Sequence, residues 1–266
     1  AAWALLAHVY AWKHDYDNAS KYCDSVINSG QYQLEDASNY ENIWAGQSQE
    51  SIFELNMLYN ADNNEATDYF FGVFLHEPLI KNKEDYKAWN IDTYLADQLF
   101  PDTAVDKRYK KIIGLESTGN PVLIKYANVK YYDPNNSPNA YVLNNNLVLL
   151  RLADIYLLKA EAASKLGDDG AAQQALNVIK ERAGLDPSTN TGEDLFNEIL
   201  EERFREMYGE GCIMYDLIRM EKLEYWLPDS FTPARIAAKG YYWPLDMRKL
   251  LPQDPLLTQN EWWKNH

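Results

Sequence analysis

The chain has 266 residues, 46% hydrophobic and 24% charged, which is ordinary for a globular protein and enough for one large domain or two small ones. Its net charge of −15 comes with no cluster of Lys and Arg, which excludes a phosphate-gripping nucleic-acid surface and a direct electrostatic hold on anionic lipid. No run approaches ~18 consecutive apolar residues, so no segment reads as membrane-spanning.

The chain opens inside a helical pattern, AAWALLAHVYAW, with no cap and no initiating Met. This predicts that an upstream segment, including any targeting signal, precedes it in the full protein. Trp3, Leu6, Ala7 and Tyr10 fall on one face of the first predicted helix. After the turn HDYD, Ala19, Tyr22, Cys23 and Val26 repeat the spacing until NSG closes the second helix at Gly30. W-x2-L-A-x2-Y followed by A-x3-C fits the tetratricopeptide (TPR) repeat, with Ala in place of the usual Gly and Cys in place of the usual aromatic.

Residues 31–145 read differently. SIFEL (51–55) alternates like a strand, and Asn, Asp, Gly and Pro recur in YNADNNEATDYFFG and YYDPNNSPNAYVLNNN. Loops this long are uncommon unless functional or disordered, and the aromatic content argues against disorder. An irregular, aromatic-rich insertion on a rigid scaffold is where a binding site is expected. The candidate ligand contacts are Trp89, Tyr69, Phe71, Tyr131 and Tyr132, read as exposed rings, with Asn90 beside Trp89 and Asp68, Asn63 and Asn64 beside Tyr69. Flat rings of this kind stack on the C–H faces of sugars, while amides and carboxylates bond the hydroxyls. DPNNSPN (133–139) is rich in oxygen but lacks the spacing of a calcium loop and reads as a turn.

From residue 146 the repeat returns. In LRLADIYLLKAEAASKLGDDGAAQQALNVIKERAGL, Tyr156, Ala160 and Ala163 match Trp3, Ala7 and Tyr10, and Ala172, Leu176 and Ile179 match Ala19, Cys23 and Val26, at a constant offset of 153 (160 − 7; 172 − 19). Gly167-Asp168-Asp169-Gly170 stands where HDYD stands in the first unit. The small residues at Ala7/Ala160 and Ala19/Ala172 let paired helices approach closely. A further helix, GEDLFNEILEERFREMYGEG, carries an apolar stripe of Leu195, Ile199, Phe204 and Met207, is broken by Gly209 and Gly211, and is followed by a short helix in IMYDLIRMEKL. The tail YYWPLDMRKLLPQDPLLTQNEWW is proline-punctuated and apolar, and reads as an extended segment packed along helices.

Catalytic and metal chemistry find little support. Glu201, Glu202, Glu206, Glu210 and Asp216 could supply a glycosidase carboxylate pair. However, Arg203, Arg205 and Arg219 interleave with them, and an ion-pair network tying helices together is the expected outcome, with Arg205 screening Glu201 at i,i+4. His8, His14, His76 and His266 show no ligand spacing, and no nucleophile elbow or phosphate loop occurs. Cys23 and Cys212, both at apolar positions of predicted helices, cannot form a self-sufficient zinc site or a disulfide framework and read as small buried hydrophobes. No cofactor and no metal are implied.

In order and spacing, LRLADIYLLKAEA, ALNVIKERAGL, EERFREMYGEGCIMYDLIR and YYWPLDMRKLLPQDPLLTQN resemble the C-terminal half of the SusD/RagB family. The opening helix pair and SQESIFEL resemble that family's first repeat and the segment after it. The chain departs from the family in two places: Ile213 stands where Arg is common in E-G-x-R-x-x-D-L, and the usual terminal Q-N-P-G-Y is Gln259-Asn260-Glu261-Trp262-Trp263. Without that Arg, Asp216 is expected to pair with Arg219 or Arg205.

The resemblance implies a mainly α fold: TPR-like helical repeats forming a right-handed superhelical scaffold, with a long irregular insertion and short strands. It implies one SusD-like domain lacking its N-terminal part, divided into a helix pair (1–30), a ligand region (31–145), further helical pairs (146–225) and an extended C-terminal segment (226–266). It also implies a surface lipoprotein of the bacterial outer membrane, anchored through a lipidated Cys upstream of this chain. Such a protein captures a glycan or other nutrient without cleaving it and passes it to a SusC-like TonB-dependent transporter. The rival readings are a TPR scaffold binding a protein or peptide partner, and a glycoside hydrolase.

Overall fold

The computed structural model describes residues 1–58, 71, 75, 79–80, 91–115, 119–131 and 141–264. They form two compact units, Ala1–Glu210 and Gly211–His266, each described by itself. The first unit is built on helix pairs, as TPR-like periodicity requires. Helices α1 (Ala2–Trp12) and α2 (Tyr16–Ile27) form one pair, and in the numbering used below α6 (Leu152–Lys165) and α7 (Asp169–Ala183) form the next. Helix α2 packs on α6, and α8 (Gly192–Glu206) closes over α6 and α7.

The 153-residue offset extends to the backbone. Asp15 caps α2 by accepting from the Asn18 N–H at 3.2 Å, and Asp168 caps α7 by accepting from the Ala171 N–H at 3.0 Å. In both turns an aspartate N–H reaches back to the first helix, Asp15 to the Tyr10 carbonyl and Asp168 to the Ala163 carbonyl. The residue before each cap is left-handed, with φ of 58° at His14 and 79° at Gly167. A histidine thus holds in the first turn a conformation that glycine adopts in the second without steric cost. Helix α7 ends on left-handed Gly184, where the Gly184 N–H bonds the Glu181 carbonyl and the Leu185 N–H bonds the Lys180 carbonyl.

The matched small residues are the contact points. Ala7, Ala19, Cys23, Ala160, Ala172, Leu176 and Ile179 are all fully buried. The buried face of α1 differs from the expected one: it is Ala4, Ala7 and Ala11, while Trp3 is 50% exposed and Leu6 and Tyr10 are half-buried. This helix is apolar on nearly every side, so spacing alone could not choose its face. Close approach of α2 selects the alanine stripe. Helix α6 is central, with ten of its fourteen residues buried, including Asp154 and Glu161.

Among the described residues between the pairs lie short elements: helices α3 (Asn42–Ala45), α4 (Thr93–Leu99) and α5 (Tyr109–Ile112), and three two-stranded antiparallel ladders. Strand β1 (Ser51–Leu55) pairs with β6 (Leu147–Arg151), β2 (Ile113–Leu115) with β3 (Pro121–Leu123), and β4 (Val129–Tyr131) with β5 (Tyr141–Leu143). Strand β1 is the strand that SIFEL predicts. Its register, Ser51 opposite Arg151, sets Glu50 against the start of α6, where the Leu152 N–H donates to the Glu50 carbonyl.

In the second unit, α9 (Ile213–Arg219), α10 (Leu223–Trp226) and α11 (Pro233–Ala237) precede an irregular tail that ends in a turn of 3-10 helix. Thr232 caps α11, and Pro233 fills its first position, where no N–H is needed. Cys212 lies just before α9 and is half-buried; it is not the fully buried helix residue expected. Asp216 pairs with Arg219 at 3.0 Å, which supplies the cation that Ile213 does not. Gln259 clamps the Leu245 backbone from both sides, accepting from its N–H and donating to its carbonyl, each at 2.9 Å. Asn260 donates to the Trp243 carbonyl at 2.6 Å. The guanidinium of Arg235 sits 4.4 Å from the Phe231 ring centre and 5.4 Å from that of Trp263, fastening the tail.

Candidate ligand-binding site

Of the ring and amide residues expected at the ligand, Trp89, Tyr69, Tyr132, Asn90 and Asp68 lie outside the described residues. Phe71 is fully buried, its ring centre 4.8 Å from that of Tyr126, so it serves packing and is not the exposed ring expected. Tyr131 is half-buried at the end of β4, facing Tyr141 across the ladder at 6.4 Å. Its partner on β5 holds it by cross-strand packing.

The carboxylates of α8 form the ion-pair network expected of them, with partners far away in sequence. Glu206 accepts from Arg108 at 3.0 Å, from Arg151 at 2.5 Å and from the Tyr40 hydroxyl at 3.0 Å, and it also pairs with Arg182. Arg108 bridges Glu202 (2.7 Å) and grips Asp106 through two nitrogens. Arg151 grips Glu210 in the same way and reaches Glu50 at 2.8 Å. Arg205 pairs with Glu202 at 2.9 Å, not with Glu201 as its spacing suggested. Glu50, Glu202, Glu206 and Arg108 are fully buried.

Burial pushes the Glu206 carboxyl up, and Arg182, Arg151 and Arg108 overcome it and hold the group well below the usual carboxylate range. Burial likewise opposes, and Arg108 and Arg205 reverse, the shift at Glu202, leaving it lowered. A glycosidase acid needs a raised pKa and room for a sugar, and this cluster has neither. It clamps β1, β6, α7 and α8 around residues 106–108. A second clamp joins the repeats: Asp154 on α6 accepts from His8 on α1 at 2.6 Å and from Arg203 on α8 at 2.9 Å.

Against this network lies an open cleft of about 370 Å³, within the range of small-ligand sites. Glu41 and Asn42 stand at the start of α3, Lys110 and Lys111 on α5, and Lys125 and Asn128 on the turn between β3 and β4. Ala45, Ile124 and Ala127 supply its apolar surface. Lys111 donates to both Glu41 oxygens (2.9 and 2.8 Å) and to the Ser38 carbonyl. Lys125 is buried, 4.7 Å from the Trp44 ring centre, donating to Glu210 at 2.7 Å and to the Glu206 carbonyl. Sequence reading missed these cleft residues because nothing in their spacing links positions 41, 110 and 128.

The profile of the SusD family matches residues 12–263. This chain belongs to the SusD family. The SusD-like protein P38 of Formosa agariphila is 28% identical across 97% of this chain and 58% of its own length. Another SusD-like protein of that bacterium, P25, is 36% identical over 37% of this chain. Among solved structures, a SusD homolog from Bacteroides thetaiotaomicron superposes with a TM-score of 0.80 at 26% identity, covering 98% of this chain and 59% of that one. The surface glycan-binding protein A of Bacteroides uniformis shares the fold, with a TM-score of 0.72 at 23% identity. The chain therefore spans 58% of P38 and 59% of the B. thetaiotaomicron homolog.

Proposed function

We propose that this chain belongs to a surface nutrient-capture protein that binds a glycan without cleaving it and passes it to a SusC-like TonB-dependent transporter. Family membership across residues 12–263 is the observation that carries this reading. The locked carboxylates of α8 add support, since Glu202 and Glu206, the candidates for a glycosidase pair, are spent on ion pairs. On this reading the ligand contacts lie in segment 31–145, with Trp89 the leading stacking residue and Tyr69, Tyr131, Tyr132, Asn90 and Asp68 as further contacts. Attachment to the outer membrane through a lipidated upstream cysteine is part of the same reading.

The test is incubation with a panel of neutral and acidic polysaccharides, followed by calorimetry and by assay of released reducing ends. Binding without released sugar is expected. Turnover, or no binding across the panel, contradicts the proposal.

A further inference from the structure

The cleft between α3 and α5 runs against the charge of the chain. This chain carries −15, yet three lysines line the cleft against one carboxylate. Two of the three are already balanced. Glu41 takes both its oxygens to Lys111, and Glu210 neutralises Lys125 from beneath. Lys110 is different: it is exposed on α5, and among the described residues it has no carboxylate partner. Asn42 across the cleft is also exposed and adds a hydrogen-bonding amide to the same wall.

A strongly acidic protein repels anions by its general field, so any anionic ligand must find a local reversal of sign. This cleft supplies one. The buried Lys125 cannot move to meet a ligand, because its ammonium donates to Glu210 and to a backbone carbonyl. Lys110, exposed and with no carboxylate partner among the described residues, can move to meet one, whereas Lys111 is held by Glu41 and the Ser38 carbonyl. The apolar surface of Ile124 and Ala127 gives a sugar ring's C–H face somewhere to rest.

We infer that this cleft seats an anionic unit of the captured glycan, a sugar carboxylate or sulfate ester, with Lys110 and Asn42 as its contacts. The inference rests on the glycan-binding reading and narrows it to acidic glycans.

Calorimetry with two matched pairs tests it: trigalacturonate against its methyl ester, and a sulfated galactan oligosaccharide against its desulfated form. A neutral panel of starch and xylan oligosaccharides is run alongside. Tighter binding of one acidic member than of its neutral counterpart is expected, and the pair that responds identifies carboxylate or sulfate. Lys110→Glu, at an exposed site, should keep the fold and weaken that binding roughly three- to tenfold. Added salt should weaken it as well.

Equal binding within both pairs, or binding of the acidic member that Lys110→Glu leaves unchanged, overturns the inference and spares the glycan reading. So does binding confined to the neutral panel. Binding of none of these sugars overturns both.

Discussion

The helix pairs and the segment between them are held by different forces. In α1–α2 and α6–α7 the contacts are alanines and short apolar side chains, repeated at a fixed offset and closed by matched aspartate caps. In the described part of the segment between them, short helices and two-stranded ladders are held by buried charge: Arg108, Lys125, Arg151 and Arg182 meet Glu50, Glu202, Glu206 and Glu210. Apolar packing of this kind supplies most of the scaffold's contacts, and a largely buried charge clamp, His8–Asp154–Arg203, ties the two pairs together. A charged clamp can hold irregular chain in place where no regular apolar face exists, and it leaves the loops free to vary. Binding residues can then change while the clamp is kept.

The largest expected effect lies at the centre of the clamp. Glu206→Ala leaves Arg108, Arg151 and Arg182 buried with too little negative charge, and should cost about 3–5 kcal/mol of stability in a denaturant titration. A cost near zero would mean that the network is solvated and the comparison fails. Titration reaches the carboxylates of both clamps. Glu202, Glu206, Glu210 and Asp154 all have folded pKa values lowered from normal, so their stabilisation is present above about pH 4 and is lost as pH falls through the folded values. Thermal melts should show stability falling steeply below about pH 4, and Glu206→Ala should flatten that dependence.

In the scaffold, Ala160→Leu overpacks the α6–α7 contact and should cost about 1–3 kcal/mol. The smallest effect tests the equivalence of the repeats: Asp15→Ala and Asp168→Ala should each cost about 1 kcal/mol, and by similar amounts. A large difference between them would show that the matched turns carry unequal load.

Much of the scaffold was legible because its forces are local. Alanine at a regular spacing, an aspartate before a helix and a glycine after one each announce themselves within a few residues. The face of α1 was misassigned because its sequence is apolar on nearly all sides, and only a neighbour could decide between stripes. The clamp was half legible. Glu202, Glu206 and Glu210 share one helical face or its continuation, which signals buried cations, but Arg108 and Arg151 lie 98 and 55 residues from Glu206. The loss of Arg at position 213 is met by Arg219, one of the two partners expected for Asp216 and the one three residues from it; Arg205 pairs with Glu202 instead. Phe71 could not be told from an exposed ring because the ring it packs against, Tyr126, is far from it in the sequence. The cleft was invisible for the same reason, its walls coming from three separate elements.

On the proposed function, the helix pairs support and the segment between them binds. Affinity electrophoresis through glycan-containing gels, run beside melting curves for Trp89→Ala and Ala160→Leu, tests it most directly. Trp89→Ala should lose retention with an unchanged melting temperature, and Ala160→Leu should melt earlier yet be retained fully while folded. Retention of Trp89→Ala at the strength of the unaltered chain, or loss of retention by folded Ala160→Leu, would contradict it.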